Sequence, residues 1–233
     1  MLCVGQPVTD QATGEFLSYF AQQSRTYGTQ RIGLTSPNRR VVPLTRDYQY
    51  AAQKFGDLAE LSAPQGQTMR NRIASFAPAV SYVDYAPSVA DILSLCMTGF
   101  PSFESSSSHR RSLIYLGPGE IRRPDETRPS LFTDQQVTDM AGNAGIQINA
   151  LASSTQGGLR SVVESTGGQY FSIDPHNSDP AADLDAIRDS PPNATKPAET
   201  TVTGWFGDSP TVPLTVALVV STLLCLSLMV LRR

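Results

Sequence analysis

Eighteen residues near the C-terminal end, Leu214 to Leu231 (LTVALVVSTLLCLSLMVL), carry no charge. As a helix rising 1.5 Å per residue, such a run covers about 27 Å, close to the roughly 30 Å of a bilayer's hydrocarbon core. Pro213 stands just before it, where a first-turn proline costs no hydrogen bond. Trp205 and Phe206 lie upstream, at a distance that suits the membrane interface. The run reads as one transmembrane helix over 214–231 whose partner is the lipid bilayer, rather than as a buried core helix. Its small polar residues Ser221, Thr222 and Ser227 suit packing against another helix.

Charge around the run bears on its orientation. Arg232 and Arg233 form a short basic tail directly after it, and the nearest preceding charge is Asp208. The positive-inside bias places that tail in the cytoplasm and the N-terminal bulk outside. The opening MLCVGQPVTD has neither the basic region nor the apolar core of an export signal. The two features conflict. Either translation starts further upstream, or the domain stays in the cytoplasm as a tail-anchored protein.

Composition narrows the rest. The chain has 233 residues, a net charge of −3 and only 17% charged residues. That is enough chain for one α/β domain with additions, and too little basic excess for a phosphate-tracking surface, so no nucleic-acid partner is expected. Only Lys54 and Lys196 among 18 basic residues are lysines, a skew that points to a GC-rich, bacterial source. Cys3, Cys96 and Cys225 form no CxxC pair, and only His109 and His176 supply imidazole, which excludes a structural zinc site. Cys225 acts as a small hydrophobe in the apolar run. Cys3 and Cys96 either pair in an oxidising compartment or, in the simpler reading, stay buried as two thiols.

Between residues 1 and 189, apolar runs alternate with helical patterns. Met1–Val4, Arg31–Ser36, Val41–Leu44, Ser112–Leu116 (SLIYL), Ile146–Ala152 and Tyr170–Ile173 read as strands, with a Pro37-Asn38 turn signal between the second and third. Helices are expected at Glu15–Arg25, Asp47–Leu61, Thr68–Ala77, Ser88–Met97, Thr133–Ala144, Gly158–Ser165 and Pro180–Arg188. Asp47 is a candidate N-cap, and Thr133-Asp134-Gln135-Gln136 fits a capping box. Pro101–Arg111, with four consecutive serines, reads as a loop. The alternation predicts a doubly wound α/β fold: a mostly parallel sheet of about six strands, SLIYL at its centre, and helices on both faces. Residues 190–213 carry five prolines and read as an extended spacer.

Several of these pieces resemble the von Willebrand factor A domain, in order and spacing, over about residues 1–189. Arg31-Ile32-Gly33-Leu34 with Val42-Pro43-Leu44-Thr45-Arg46-Asp47 looks like that family's second and third strands entering a helix. Leu113 to Glu120 (LIYLGPGE) looks like its central strand, which typically runs into Thr-Asp-Gly-Glu. Ala144-Gly145-Ile146-Gln147-Ile148 looks like the next strand, and Thr166-Gly167-Gly168-Gln169-Tyr170-Phe171 like the Thr-Gly-Gly-x-Tyr before the last.

The resemblance implies a divalent-metal site at the C-terminal strand ends, held by an Asp-x-Ser-x-Ser loop, a threonine and the aspartate of the Thr-Asp-Gly turn. Hard cations need such oxygens. Here Gly5 replaces the first aspartate, Pro7 the first serine, and only Thr9 keeps a hydroxyl. Pro118, before Gly119, replaces the turn aspartate, and Ser88 stands in for the threonine. A later register, Asp10-Gln11-Ala12-Thr13-Gly14, still lacks both serines. The expectation is therefore no bound metal, with Gly5, Pro7, Thr9, Ser88, Pro118 and Gly119 left as a partner-binding surface.

Other motifs have bland readings. Gly117-Pro118-Gly119 lacks a phosphate-loop pattern and is a turn. Asp174, Asp179, Asp183, Asp185 and Asp189 match no calcium loop and suit a solvated helix face. Arg122, Arg123 and Arg128, with Arg110 and Arg111 nearby in sequence, form a basic patch suited to an acidic partner or anionic lipid. His109 and His176 have no nucleophile at readable spacing, and Ser105–Ser108 shows no elbow motif. Asn193-Ala194-Thr195 is a chance-level glycosylation match. The sequence thus predicts a membrane-anchored, non-catalytic interaction module that binds an unidentified protein and needs no cofactor. An enzyme on a Rossmann-like sheet and an accessory subunit of a membrane complex are the alternatives.

Overall fold

The computed structural model describes residues 1–5, 11–36, 39–62, 88–120, 127–153, 158–173 and 180–192, and in the C-terminal segment 215, 218 and 220–222. The chain divides into two compact units, Met1–Thr195 and Lys196–Arg233. The first is an α/β domain. Its strands are β1 (Leu2–Val4), β2 (Ile32–Ser36), β3 (Arg39–Thr45), β4 (Arg111–Gly117), β5 (Ile146–Ala152) and β6 (Tyr170–Ser172). They form one sheet in the order β3-β2-β1-β4-β5-β6, parallel throughout except for β3, which runs antiparallel to β2. SLIYL lies in β4, between β1 and β5, as its unbroken apolar character predicted. Pro43 sits on the edge strand β3, where a missing N–H is tolerated.

Helices α1 (Gln11–Gln23), α2 (Tyr48–Ala59), α3 (Val89–Met97), α4 (Asp134–Ala144), α5 (Leu159–Ser165) and α6 (Pro180–Asp189) cover the sheet. Alternate strand residues enter two separate cores. Leu2 and Val4 pack with Phe16, Phe55 and Leu184 from α1, α2 and α6. Cys3, Leu113 and Tyr115 pack with Leu93, Val137 and Val163 from α3, α4 and α5. The Tyr19 hydroxyl of α1 donates to Asp185 of α6 at 2.6 Å.

Local signals account for most helix ends. The Asp47 carboxylate accepts from the Tyr50 N–H at 2.9 Å. Thr133 and Gln136 form a reciprocal capping box, and Gly145 ends α4 in the left-handed conformation. Two helices differ from expectation. The first begins at Gln11, earlier than predicted, because Thr13 and Gly14 are buried with its apolar face. The second tightens into a 3-10 turn over Glu60–Ser62. The Thr-Gly-Gly segment has a local structural role. Gly167 adopts a φ of 73°, and a Cβ on Gly168 would collide with the Ile148 carbonyl. The Gln169 N–H then donates to the buried Asn149 side chain at 2.9 Å, which sets the entry into β6.

Cys3 and Cys96 form a disulfide across 93 residues, which corrects the reading of two thiols. Cys3 is the middle residue of β1 and faces α3. Cys96 lies on the inner face of α3, and the Cα atoms are 5.8 Å apart, inside the range a disulfide spans.

The expected helix Thr68–Ala77, the glycosylation triplet at Asn193 and Cys225 lie outside the described residues. Of the apolar run 214–231, Thr215, Leu218 and residues 220–222 are described and helical, and the remainder lies outside. Among the described residues no helix is long and apolar enough to cross a membrane.

Candidate functional site

In an open α/β sheet, ligands bind beyond the carboxyl ends of the strands, where the strand order reverses. Here that point lies between β1 and β4. β1 ends at Val4 and leads into Gly5, whose N–H donates to the Leu116 carbonyl at 2.7 Å, and β4 ends at Gly117. The crevice between them is filled by a side chain of the sheet itself, Tyr115. Its ring is fully buried, and its hydroxyl donates to the Pro118 carbonyl at 2.9 Å. Burial, and secondarily the neighbouring Tyr170 phenol, push the Tyr115 hydroxyl well above its ordinary range. It therefore stays a protonated donor.

Both glycines are required by this ring. A Cβ on Gly5 would collide with the Tyr115 hydroxyl. A Cβ on Gly117 would stand 2.6 Å from the same oxygen and 3.0 Å from the Gly5 Cα. An aspartate at position 5 could enter only by displacing the tyrosine. The glycine at position 5 and the aromatic side chain that fills the crevice are thus one packing arrangement.

Of the surrounding residues expected at a metal site, Pro7 and Thr9 lie outside the described residues. Pro118 and Gly119 form the turn on which the Tyr115 hydroxyl rests. Ser88 is not a free hydroxyl. It caps α3 by accepting from the Asp91 N–H at 3.2 Å, and it donates to the Asp91 carboxylate at 2.9 Å. The other carboxylate oxygen of Asp91 accepts from the Phe132 N–H at 2.9 Å. Asp91 is 1% exposed and ties the start of α3 to the segment leading into α4. Sequence reasoning missed Asp91, although Ser88-x-x-Asp91 has capping-box spacing.

Arg122 and Arg123 lie outside the described residues, and Arg128 is exposed. Arg111 begins β4. It is a buried structural cation. Its guanidinium donates to the carbonyls of Pro101, Ser102, Ser105 and Ala144 at 2.6–3.4 Å and lies over the Phe100 ring. Burial lowers its pKa from the ordinary value. It pins the serine-rich loop to the lower end of the sheet.

Asp185 accepts from Tyr19 and pairs with Arg188 at 3.1 Å. Asp183 is half-buried and Asp189 exposed on α6, while Asp174, Asp179 and His176 lie outside the described residues. His109 is exposed. Among the described residues, the crevice offers packed aromatic and backbone surface.

No family model matches this chain, and no curated protein matches it. Among solved structures, it is similar to an uncharacterized membrane-spanning protein from Vibrio fischeri, at 15% identity and a TM-score of 0.25, over 82% of this chain and 97% of that one.

Proposed function

We propose that this protein is a membrane-anchored, non-catalytic interaction module built on a von Willebrand factor A-like domain. Tyr115 carries the reading. Its ring occupies the crevice at the strand-order switch, where that family would hold a cation, with Gly5 and Gly117 making room for it. The strand order and the single antiparallel edge strand support the likeness. A side-chain-filled crevice presents a surface formed by the half-buried Pro118 and the exposed Glu120, with Gly119 buried beneath, which suits a protein partner.

The uncharged run over 214–231 supports the anchor, and Arg232 and Arg233 support a cytoplasmic tail. The Cys3–Cys96 disulfide supports an extracytoplasmic domain, because such bonds persist in oxidising compartments. A photo-crosslinking amino acid at Glu120 in intact cells tests the module. A discrete protein adduct at position 120, absent when the probe replaces the exposed Asp139 on α4, is expected. The same adducts from both positions, or none from position 120, would overturn the reading.

A further inference from the structure

The end of the sheet opposite the Tyr115 crevice is where the parallel strands β2 and β4 begin and the antiparallel β3 ends. An arginine stands at each of these points: Arg31 before β2, Arg110 before β4 and Arg46 after β3. Ile32 pairs with Thr45, so β2 and β3 run out side by side into Arg31 and Arg46. The Arg46 Nε donates to the Thr29 carbonyl at 3.2 Å, which holds it against the segment leading into β2.

These arginines converge. Arg31, Arg46 and Arg110, with His109, are exposed and border one opening. Arg188 of α6 borders it too, in ion pairs with Asp185 and Asp189 at 3.1 and 3.6 Å. Among the described residues, no aspartate or glutamate borders the opening. A guanidinium presents a planar fork of donors that matches the oxygens of a phosphate. Exposed on one face rather than folded around a buried cradle, these groups suit a plane of phosphates more than a single small anion. Pro191 and Pro192 border the same opening, so the chain leaves the domain toward the uncharged run from this face.

We infer that this end of the domain docks on an anionic bilayer surface, with Arg31, Arg46 and Arg110 on lipid phosphates and His109 beside them. The inference takes the nearness of the bilayer from the anchor reading above, and the sign of the surface from the arginines. Each basic residue close to an anionic leaflet strengthens the contact about fivefold, and salt weakens it by screening.

The full chain, reconstituted with vesicles of phosphatidylcholine alone or with phosphatidylglycerol added, tests this. A photo-crosslinking amino acid replaces Ser108, exposed beside His109, or as a control the exposed Asp139 on α4. Lipid adducts at position 108 are expected to rise several-fold with phosphatidylglycerol, to fall at about 0.5 M salt, and to drop at least about tenfold when Arg31, Arg46 and Arg110 are all replaced by glutamine. Replacing the same three by lysine keeps the charge and is expected to keep most of the adducts, which separates charge from any local structural role. Equal adducts on the two vesicles, adducts unchanged by salt or by the glutamine variant, or the same rise at position 139 would overturn the inference. Flotation with phosphatidylcholine vesicles reads the anchor separately: a chain that fails to float there refutes the anchor, while its salt-sensitive adducts on anionic vesicles still decide the docking face.

Discussion

Acetylating the α-amine of the chain that begins at Met1 should remove a marked dependence of stability on pH. The amine is wholly buried against the Ser112 carbonyl, and burial lowers its pKa from 8.0 to about 5. A cation at this position has lost its water and gained no carboxylate among its described contacts, so the neutral amine is favoured. The unfolded chain binds the proton below pH 8, and the folded chain only below about pH 5. Between these values unfolding takes up a proton, so stability is full above pH 8 and falls as pH drops. Three units at about 1.4 kcal/mol each amount to about 4 kcal/mol across the window. Below about pH 5 both states are protonated and the dependence flattens.

The assay is urea unfolding at half-unit steps from pH 5 to pH 8.5, on the free and the α-N-acetylated forms. Carboxylates and histidines titrate alike in both, so the difference between the two profiles isolates the amine. The free form is expected to lose about 1.4 kcal/mol per pH unit relative to the acetylated one between pH 7.5 and pH 5.5. Profiles that run parallel throughout would refute the burial of the amine and the closure of the ladder around it.

Three further outcomes are expected. Replacing both Cys3 and Cys96 with alanine removes a closure of 93 residues and should cost about 4–5 kcal/mol by the chain-entropy argument; an unchanged urea midpoint with and without reductant would contradict the bond. Tyr115→Ala should cost about 3–5 kcal/mol through the cavity it leaves, and Tyr115→Phe only about 1 kcal/mol, for the hydrogen bond to Pro118; a cost below about 1 kcal/mol for the alanine would show the crevice to be loosely filled. Deleting 214–233 should release the protein from carbonate-washed membranes with the domain's melting temperature unchanged, and a cysteine at Thr201 in the full chain should react with an impermeant reagent on intact cells. Retention or aggregation of the truncated form would contradict the anchor, and protection of Thr201→Cys would contradict the external domain.

The amino-acid sequence alone determined the elements and their types. Asp47, Thr133 with Gln136, and the alternation of SLIYL with helical segments act through contacts a few residues apart, and the corresponding strands and helices form within a few positions of expectation. The 18-residue uncharged run is legible for the same reason, since its chemistry is contiguous. Tertiary structure decided the rest, because those relations join residues distant along the chain. Cys3 meets Cys96 only because β1 pairs between β2 and β4 beneath α3. Tyr115 reads in sequence as one more apolar strand residue, and only the approach of Gly5 to Gly117 turns it into the filling of the crevice. Arg111 reads in sequence as part of a basic loop, and only the fold buries its guanidinium among the carbonyls of Pro101, Ser102, Ser105 and Ala144. Periodicity and capping are properties of a segment, whereas burial, strand neighbours and the shape of a cleft belong to the packed chain.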